Sequence, residues 1–173
     1  FTCFLVPSGV DEFPGVTEHD LRQALPILAR RGVPLLVHGG IIADRGLRIA
    51  DSIVDSIVDS NPQSAIRNPQ YAAYLATRPS AMEREAIKLM IRLAEEFLTR
   101  VHIVHVSSAE GIGAIAGAKA ARVPITAETC PHYLTFAADD IPDGATEFTC
   151  APPIREAAHR DALWDGLLSG TLD

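Results

Sequence analysis

Two runs of branched apolar residues, Val33-Pro34-Leu35-Leu36-Val37-His38 and Val101-His102-Ile103-Val104-His105, limit what this 173-residue chain can fold into more than any other feature. Near-continuous runs of this kind read as strands covered on both faces, as in parallel sheets flanked by helices. Strand-like and helix-like patterns alternate four times along the chain, which predicts parallel strands joined by crossover helices. Each run closes on a histidine and passes at once into small residues, Gly39-Gly40 and Ser107-Ser108. The C-terminal ends of parallel strands are where α/β folds assemble their sites. One histidine there reads as a core residue bonded to backbone. Two, in successive strand–helix units, put a shared site on an equal footing with that reading.

The local signals fill in the rest. Phe1 to Leu5 is a first strand, and Pro7 to Pro14 a turn-rich loop. Thr17 and Asp20 have capping-box spacing. They open a helix with an apolar stripe of Leu21, Ala24, Leu25 and Leu28, an internal Pro26 and a stop at Gly32. Three tandem tetrapeptides beginning at Ile49, Ile53 and Ile57 predict a helical stripe beside Asp51, Asp55 and Asp59, which read as a solvated face rather than a metal site. Asn61-Pro62 and Asn68-Pro69 break the chain. Ser80 and Glu83 form a second capping box, before a stripe of Met82, Ala86, Leu89, Met90, Leu93 and Phe97. Ser107 and Glu110 cap a helix rich in Ala and Gly, suited to close packing on a sheet. Val123 to Thr129 is a fourth strand, residues 148–155 a loop, and Ala157 to Leu168 a last helix. Four such units match half of a (β/α)8 barrel, whose usual length is about 250 residues. The alternative is a small doubly wound sheet, although no glycine fingerprint follows the first strand.

Composition excludes several classes of function. Fifteen Lys and Arg against 22 Asp and Glu give a formal charge of −7, with no basic face for nucleic acid. No apolar stretch approaches the roughly 18–20 residues that span a bilayer. Three widely spaced cysteines, Cys3, Cys130 and Cys150, suit a reducing cytoplasmic setting. The start at Phe1 and the stop at Asp173 give the chain the look of one piece of a longer domain, residues 1–173 truncated at both ends.

Neutral imidazole is the commonest protein ligand for zinc-like metals, so His38 and His105 are candidate ligands across the mouth of a barrel. Two are fewer than the three or so that a catalytic zinc takes from protein. Asp11 and Glu12 lie on the first loop. Glu128, in the fourth strand, reads equally as a buried functional carboxylate or as one meeting solvent or an arginine. His132 follows a strand end and points to the pocket, whereas its neighbour Cys130 is badly placed to act with it as a Cys–His nucleophile. His102 faces away from Val101 and Ile103 and reads as structural. His19 and His159 read as surface residues. Arg155, behind Pro152-Pro153, either holds a loop or binds an anion. No G-x-S-x-G elbow supports a serine hydrolase.

Taken together, Val37-His38, His102 to Glu110, Glu128-Thr129-Cys130-Pro131-His132-Tyr133-Leu134 and Cys150-Ala151-Pro152-Pro153-Ile154-Arg155 resemble the allantoinases. These belong to the cyclic amidohydrolases, with the dihydropyrimidinases, hydantoinases and dihydroorotases. The resemblance implies a (β/α)8 barrel holding two metal ions, usually zinc, that activate water against a cyclic amide, with an aspartate shuttling the proton. By motif position His38 and His105 correspond to the two histidines of one metal, and Cys130, His132 and Ala151 to loops around the substrate. The implied substrate is allantoin, opened to allantoate in purine breakdown, and the implied parent is a cytoplasmic homo-oligomer, a tetramer in family terms.

The chain also departs from the pattern. The family H-x-H pair is expected upstream of Phe1 and the proton-shuttling aspartate beyond Asp173. Where the family has a carboxylated lysine, in Phe-Lys-Cys-Phe, this chain has Thr2, a lost ligand position. Thr149 likewise replaces a lysine, and Gly40 a glutamate. The chain therefore reads either as part of a working allantoinase or as part of a catalytically dead relative kept for assembly. A hydantoinase, dihydropyrimidinase or dihydroorotase activity is the closest alternative chemistry. In any of these cases the 173 residues alone are expected to be inactive and to associate through unpaired sheet edges.

Overall fold

A computed structural model describes residues 1–6, 11–12, 14–39 and 71–173. Four strands, β1 (Thr2–Phe4), β2 (Leu35–His38), β3 (Val101–Val104) and β4 (Ile125–Ala127), form one sheet in the order β1-β2-β3-β4, every pair parallel. Doubly wound sheets reverse their strand order at a switch point. This sheet does not, and sequential parallel winding is that of a (β/α)8 barrel. The helices are α1 (Glu18–Arg31), α2 (Tyr71–Ala76), α3 (Ser80–Phe97), α4 (Ala109–Ala120), α5 (Pro131–Thr135) and α6 (Ala157–Leu168). The short helices α2 and α5 carry no long apolar period, and sequence patterning missed both. The tandem tetrapeptides, both Asn-Pro breaks, Gly40 and parts of the first loop lie outside the described residues.

The two faces of the sheet differ. Leu35, Val37, Val101, Ile103, Ile125 and Ala127 are at most 4% exposed and share one core with Leu21, Leu25, Ile87, Met90, Leu93 and Ile115. In the alternate register row, Thr2 and Thr126 are exposed, and Leu36 and His102 half-buried. Among the described residues the helices cover one face of the sheet. The other face carries His38 and His102, and Val104, in the same register row as His38, is buried there.

Helix α1 begins as its sequence dictates. The Asp20 carboxylate accepts the Thr17 N–H at 2.8 Å, and Gly32 ends the helix at φ 64°. Ala24 is exposed, so the covered stripe is only Leu21, Leu25 and Leu28. In α3, Ile87 and Ala94 are buried where Leu89 and Phe97 are half-buried. The small residues of α4 serve the neighbouring helix as well as the sheet. A Cβ on Gly111 would lie 2.3 Å from Ile87 Cδ1, so α3 and α4 approach closely at that point.

Both other capping boxes are corrected. Ser80 makes no cap bond on α3, and its hydroxyl instead binds Glu110 of α4. Glu83 turns inward to Ser107, so the two boxes have exchanged partners across α3 and α4. A buried carboxylate with two backbone amides within reach outcompetes a solvent-exposed local cap.

Candidate active site

Strand β2 ends at His38, whose register partner on β3 is Val104, not His105. By alternation His105 should face the helices with Val101 and Ile103. It does not, because one extra residue enters the ladder. The Glu128 N–H donates to the Ile103 carbonyl at 2.9 Å, but the Glu128 carbonyl accepts from Val106 at 2.8 Å, skipping His105. His105 takes up the slack in the left-handed region at φ 47°. A bulge of this kind re-aims a side chain. The turned ring meets His38, with Nδ1 of His38 and Nε2 of His105 2.7 Å apart.

The surroundings disfavour a charge on both rings. Phe4 stacks on His38, ring centroids 4.0 Å apart and planes 11° apart. Burial lowers the His38 pKa, and burial together with the nearby His38 lowers that of His105 to about 4. Neutral imidazole is the metal-binding form. The buried Nδ1 of His105 and Nε2 of His132 have no hydrogen-bond partner among the described residues. Two tetrahedral zinc ligands at about 2.0–2.1 Å sit roughly 3.3 Å apart, so these rings need to part by only about half an ångström to share an ion. The pair therefore fits as two ligands of a metal. Among the described residues no group of three or more His, Cys, Asp or Glu converges on one point.

Thr2 lies in register with Leu36, one side-chain row below Phe4 and His38. Two residues of strand set it roughly 6.6 Å short of the histidine level, beyond a threonine hydroxyl and within reach of a longer side chain. Glu128 is about half exposed, 3.4 Å from His102 Nε2, and the other ring nitrogen of His102 binds Thr126 Oγ1 at 2.7 Å. The structural reading of His102 and the solvent-facing reading of Glu128 both hold. His159 is corrected from surface to half-buried: its Nδ1 accepts the Ala109 N–H at 2.9 Å and so caps α4.

Cys130 is the N-cap residue of α5, and burial raises its thiol pKa. His132, in the same short helix, packs edge-on against Tyr133, centroids 4.1 Å apart. Ala151 is exposed on the loop that follows. All three tyrosines of the chain hold that loop by alternate carbonyls: Tyr74 donates to Cys150 at 2.6 Å, Tyr133 to Pro152 at 2.7 Å and Tyr71 to Ile154 at 2.9 Å. Nothing in their spacing announced this shared role.

Arg155 is buried beside Glu83, its Nη2 3.8 Å from Oε2. It donates to Ser107 Oγ at 3.1 Å and to the Arg78 carbonyl at 3.0 Å. The loop-holding reading of Arg155 is thus the one its contacts support. Glu83 in turn accepts the Ser107 N–H at 2.9 Å, the Ser107 hydroxyl at 2.6 Å and the Ser108 N–H at 3.0 Å. The sequence disguised Glu83 as a cap.

No family model matches the chain. An allantoinase of Streptomyces avermitilis is 43% identical over 173 residues, covering 100% of this chain and 36% of its own length. The allantoinase of Arabidopsis thaliana is 39% identical over 180 residues, covering 98% of this chain and 33% of its own. Among solved structures, the L-hydantoinase (dihydropyrimidinase) of Arthrobacter aurescens matches with a TM-score of 0.82 at 26% identity, over all of this chain and 36% of its own. A D-hydantoinase matches with a TM-score of 0.79 at 25% identity, over 99% of this chain and 35% of its own. The chain spans about a third of the length of the relatives it matches. Over its whole length in sequence, and in a sheet wound as part of a (β/α)8 barrel, the chain is thus similar to about a third of an allantoinase or a hydantoinase.

Proposed function

We propose that this chain is part of a metal-dependent cyclic amidohydrolase that opens allantoin to allantoate in purine breakdown. The observation that carries the reading is the convergence of two neutral imidazoles, 2.7 Å apart at the ends of adjacent parallel strands, in a chain 43% identical to an allantoinase. In the reaction, water adds across a ring C–N bond: the acyl carbon gains oxygen and the nitrogen leaves with a proton. His38 and His105 are the residues that hold a metal ion, zinc in this reading. When bound, such an ion polarises the ring carbonyl and makes water nucleophilic at neutral pH. Cys130, His132 and Ala151 border the ring substrate from the loops after β4. His132 keeps a buried Nε2 to offer it. Two imidazoles are too few for a catalytic zinc, so the 173 residues alone give no significant turnover. The intact protein acts as a cytoplasmic homo-oligomer with two ions per site, and the three free thiols suit that compartment. No helix among the described residues is long and apolar enough to cross a membrane.

Thr2 favours a second reading, in which the parent is a catalytically dead relative kept for assembly. A threonine cannot form the carbamate through which a lysine bridges two cations. Metal analysis and an allantoin assay on the longest natural form of the protein, with and without Thr2→Lys, separate the readings. Allantoin turnover with two zinc per protomer supports the enzyme. One zinc or none, no turnover, and a gain of both on Thr2→Lys supports the dead relative. Turnover of dihydropyrimidines, hydantoins or dihydroorotate in place of allantoin would move the assignment to those branches.

A further inference from the structure

The most deeply buried charged side chains among the described residues are Glu83 and Arg155, 4% and 5% exposed. A buried ion pair is a poor source of stability, because the desolvation of both charges offsets their attraction. A leucine at position 83 would extend the apolar stripe of α3 at less cost. What the carboxylate does instead is geometric. It gathers the amides of Ser107 and Ser108 and the hydroxyl of Ser107, the residues that leave the bulge at His105. The left-handed conformation of His105, at φ 47°, is one a non-glycine residue keeps only where its surroundings enforce it. From the β4 side, Glu128 fixes Val106 by backbone and Thr129 Oγ1 donates to the Val106 carbonyl at 2.7 Å. From the helix side, the fixing group is Glu83.

We propose that Glu83 is a positioning residue: its carboxylate holds the turn that brings the His105 imidazole to His38, and through Ser107 and Arg155 locks that turn to the Cys150–Arg155 loop. The geometric part stands on these contacts. Its value for catalysis rests on the metal reading above. Ser107 Oγ is the joint, since it donates to Glu83 and accepts from Arg155. One carboxylate thereby sets a candidate metal ligand and a candidate substrate loop together.

The test uses the longest natural form of the protein with Glu83→Gln, Glu83→Ala, Ser107→Ala and, as control, Ser80→Ala. Folding is followed by circular dichroism, the imidazoles by long-range proton–nitrogen correlation spectra, and metal binding by cobalt(II) absorption titration. Both Glu83 variants should displace the His105 ring signals and weaken cobalt binding about tenfold or more, the size of effect that lost outer-shell support produces. Ser107→Ala keeps both amide bonds and should give a smaller shift in the same direction. Ser80→Ala should leave ring signals and affinity unchanged. A folded Glu83→Gln with wild-type His105 signals overturns the proposal. If neither Glu83 variant folds, unchanged His105 signals in Ser107→Ala overturn it instead. Should the unsubstituted full-length protein bind no cobalt, the metal reading fails, and the ring signals still decide the role of Glu83.

Discussion

His105 lies one residue beyond the register partner of His38, and the two rings nevertheless meet at 2.7 Å. A regular strand would have sent them to opposite faces of the sheet. The meeting depends on a single left-handed residue, so the backbone at His105 is as much a part of the candidate site as the ring it carries.

Replacing His105 separates the two. Glycine accepts φ 47° without the Cβ penalty that alanine keeps. His105→Gly is therefore expected to be more stable than His105→Ala by about 1 kcal/mol, the reverse of their order in a helix. Urea unfolding of both variants checks this. Neither should bind cobalt as tightly as the unsubstituted full-length protein is expected to, and equal stabilities would remove the claim of strain.

Gly111 tests the approach of α3 to α4. Helix propensity alone favours alanine there by about 1 kcal/mol. The Cβ would meet Ile87 Cδ1 at 2.3 Å inside a fully buried contact, and overpacking of that kind costs about 1–3 kcal/mol. Gly111→Ala should lower the unfolding free energy, and adding Ile87→Val, which deletes that methyl, should recover most of the loss in a double-mutant cycle.

The tyrosine clamp gives a local readout. Tyr133→Phe leaves the buried Pro152 carbonyl without its donor, a loss of about 1–3 kcal/mol. Amide hydrogen exchange should quicken at Ala151 and Ile154, while the amides of α1 keep their rates. An unchanged loop would show that Tyr71 and Tyr74 hold it alone.

Cys3 supplies the pH dependence. Burial raises its thiol from 9.0 to about 11. A folded-state pKa above the unfolded one means the unfolded chain releases the proton first. The stabilisation is complete below about pH 9 and is lost as pH rises through about 11. The full loss amounts to about 2–3 kcal/mol. Between these limits the gap in urea midpoint between the unsubstituted chain and Cys3→Ala should narrow. Thiol alkylation at neutral pH should be slow at Cys3 in the folded chain and fast after unfolding.

Much of this was legible in the chain itself. The Thr17–Asp20 cap, the glycine stop at Gly32, the strand positions and the two closing histidines follow from local chemistry, where the partners are a few residues apart. The Ser80–Glu83 and Ser107–Glu110 spacings were equally good local signals and misled. Each residue had a better partner on the other helix, and spacing carries no information about that competition.

The parallel winding of the strands, the histidines that close two of the apolar runs and the motifs shared with the cyclic amidohydrolases could all be read from the chain alone. Periodicity and motif order are properties of the chain, and they suffice for that. Packing in three dimensions turned His105 across the sheet to His38, aimed Glu83 inward and brought three scattered tyrosines onto one loop. Those outcomes depend on a one-residue register shift and on buried polar groups finding donors far away in sequence. Such contacts form only once desolvation makes every unpaired polar group costly.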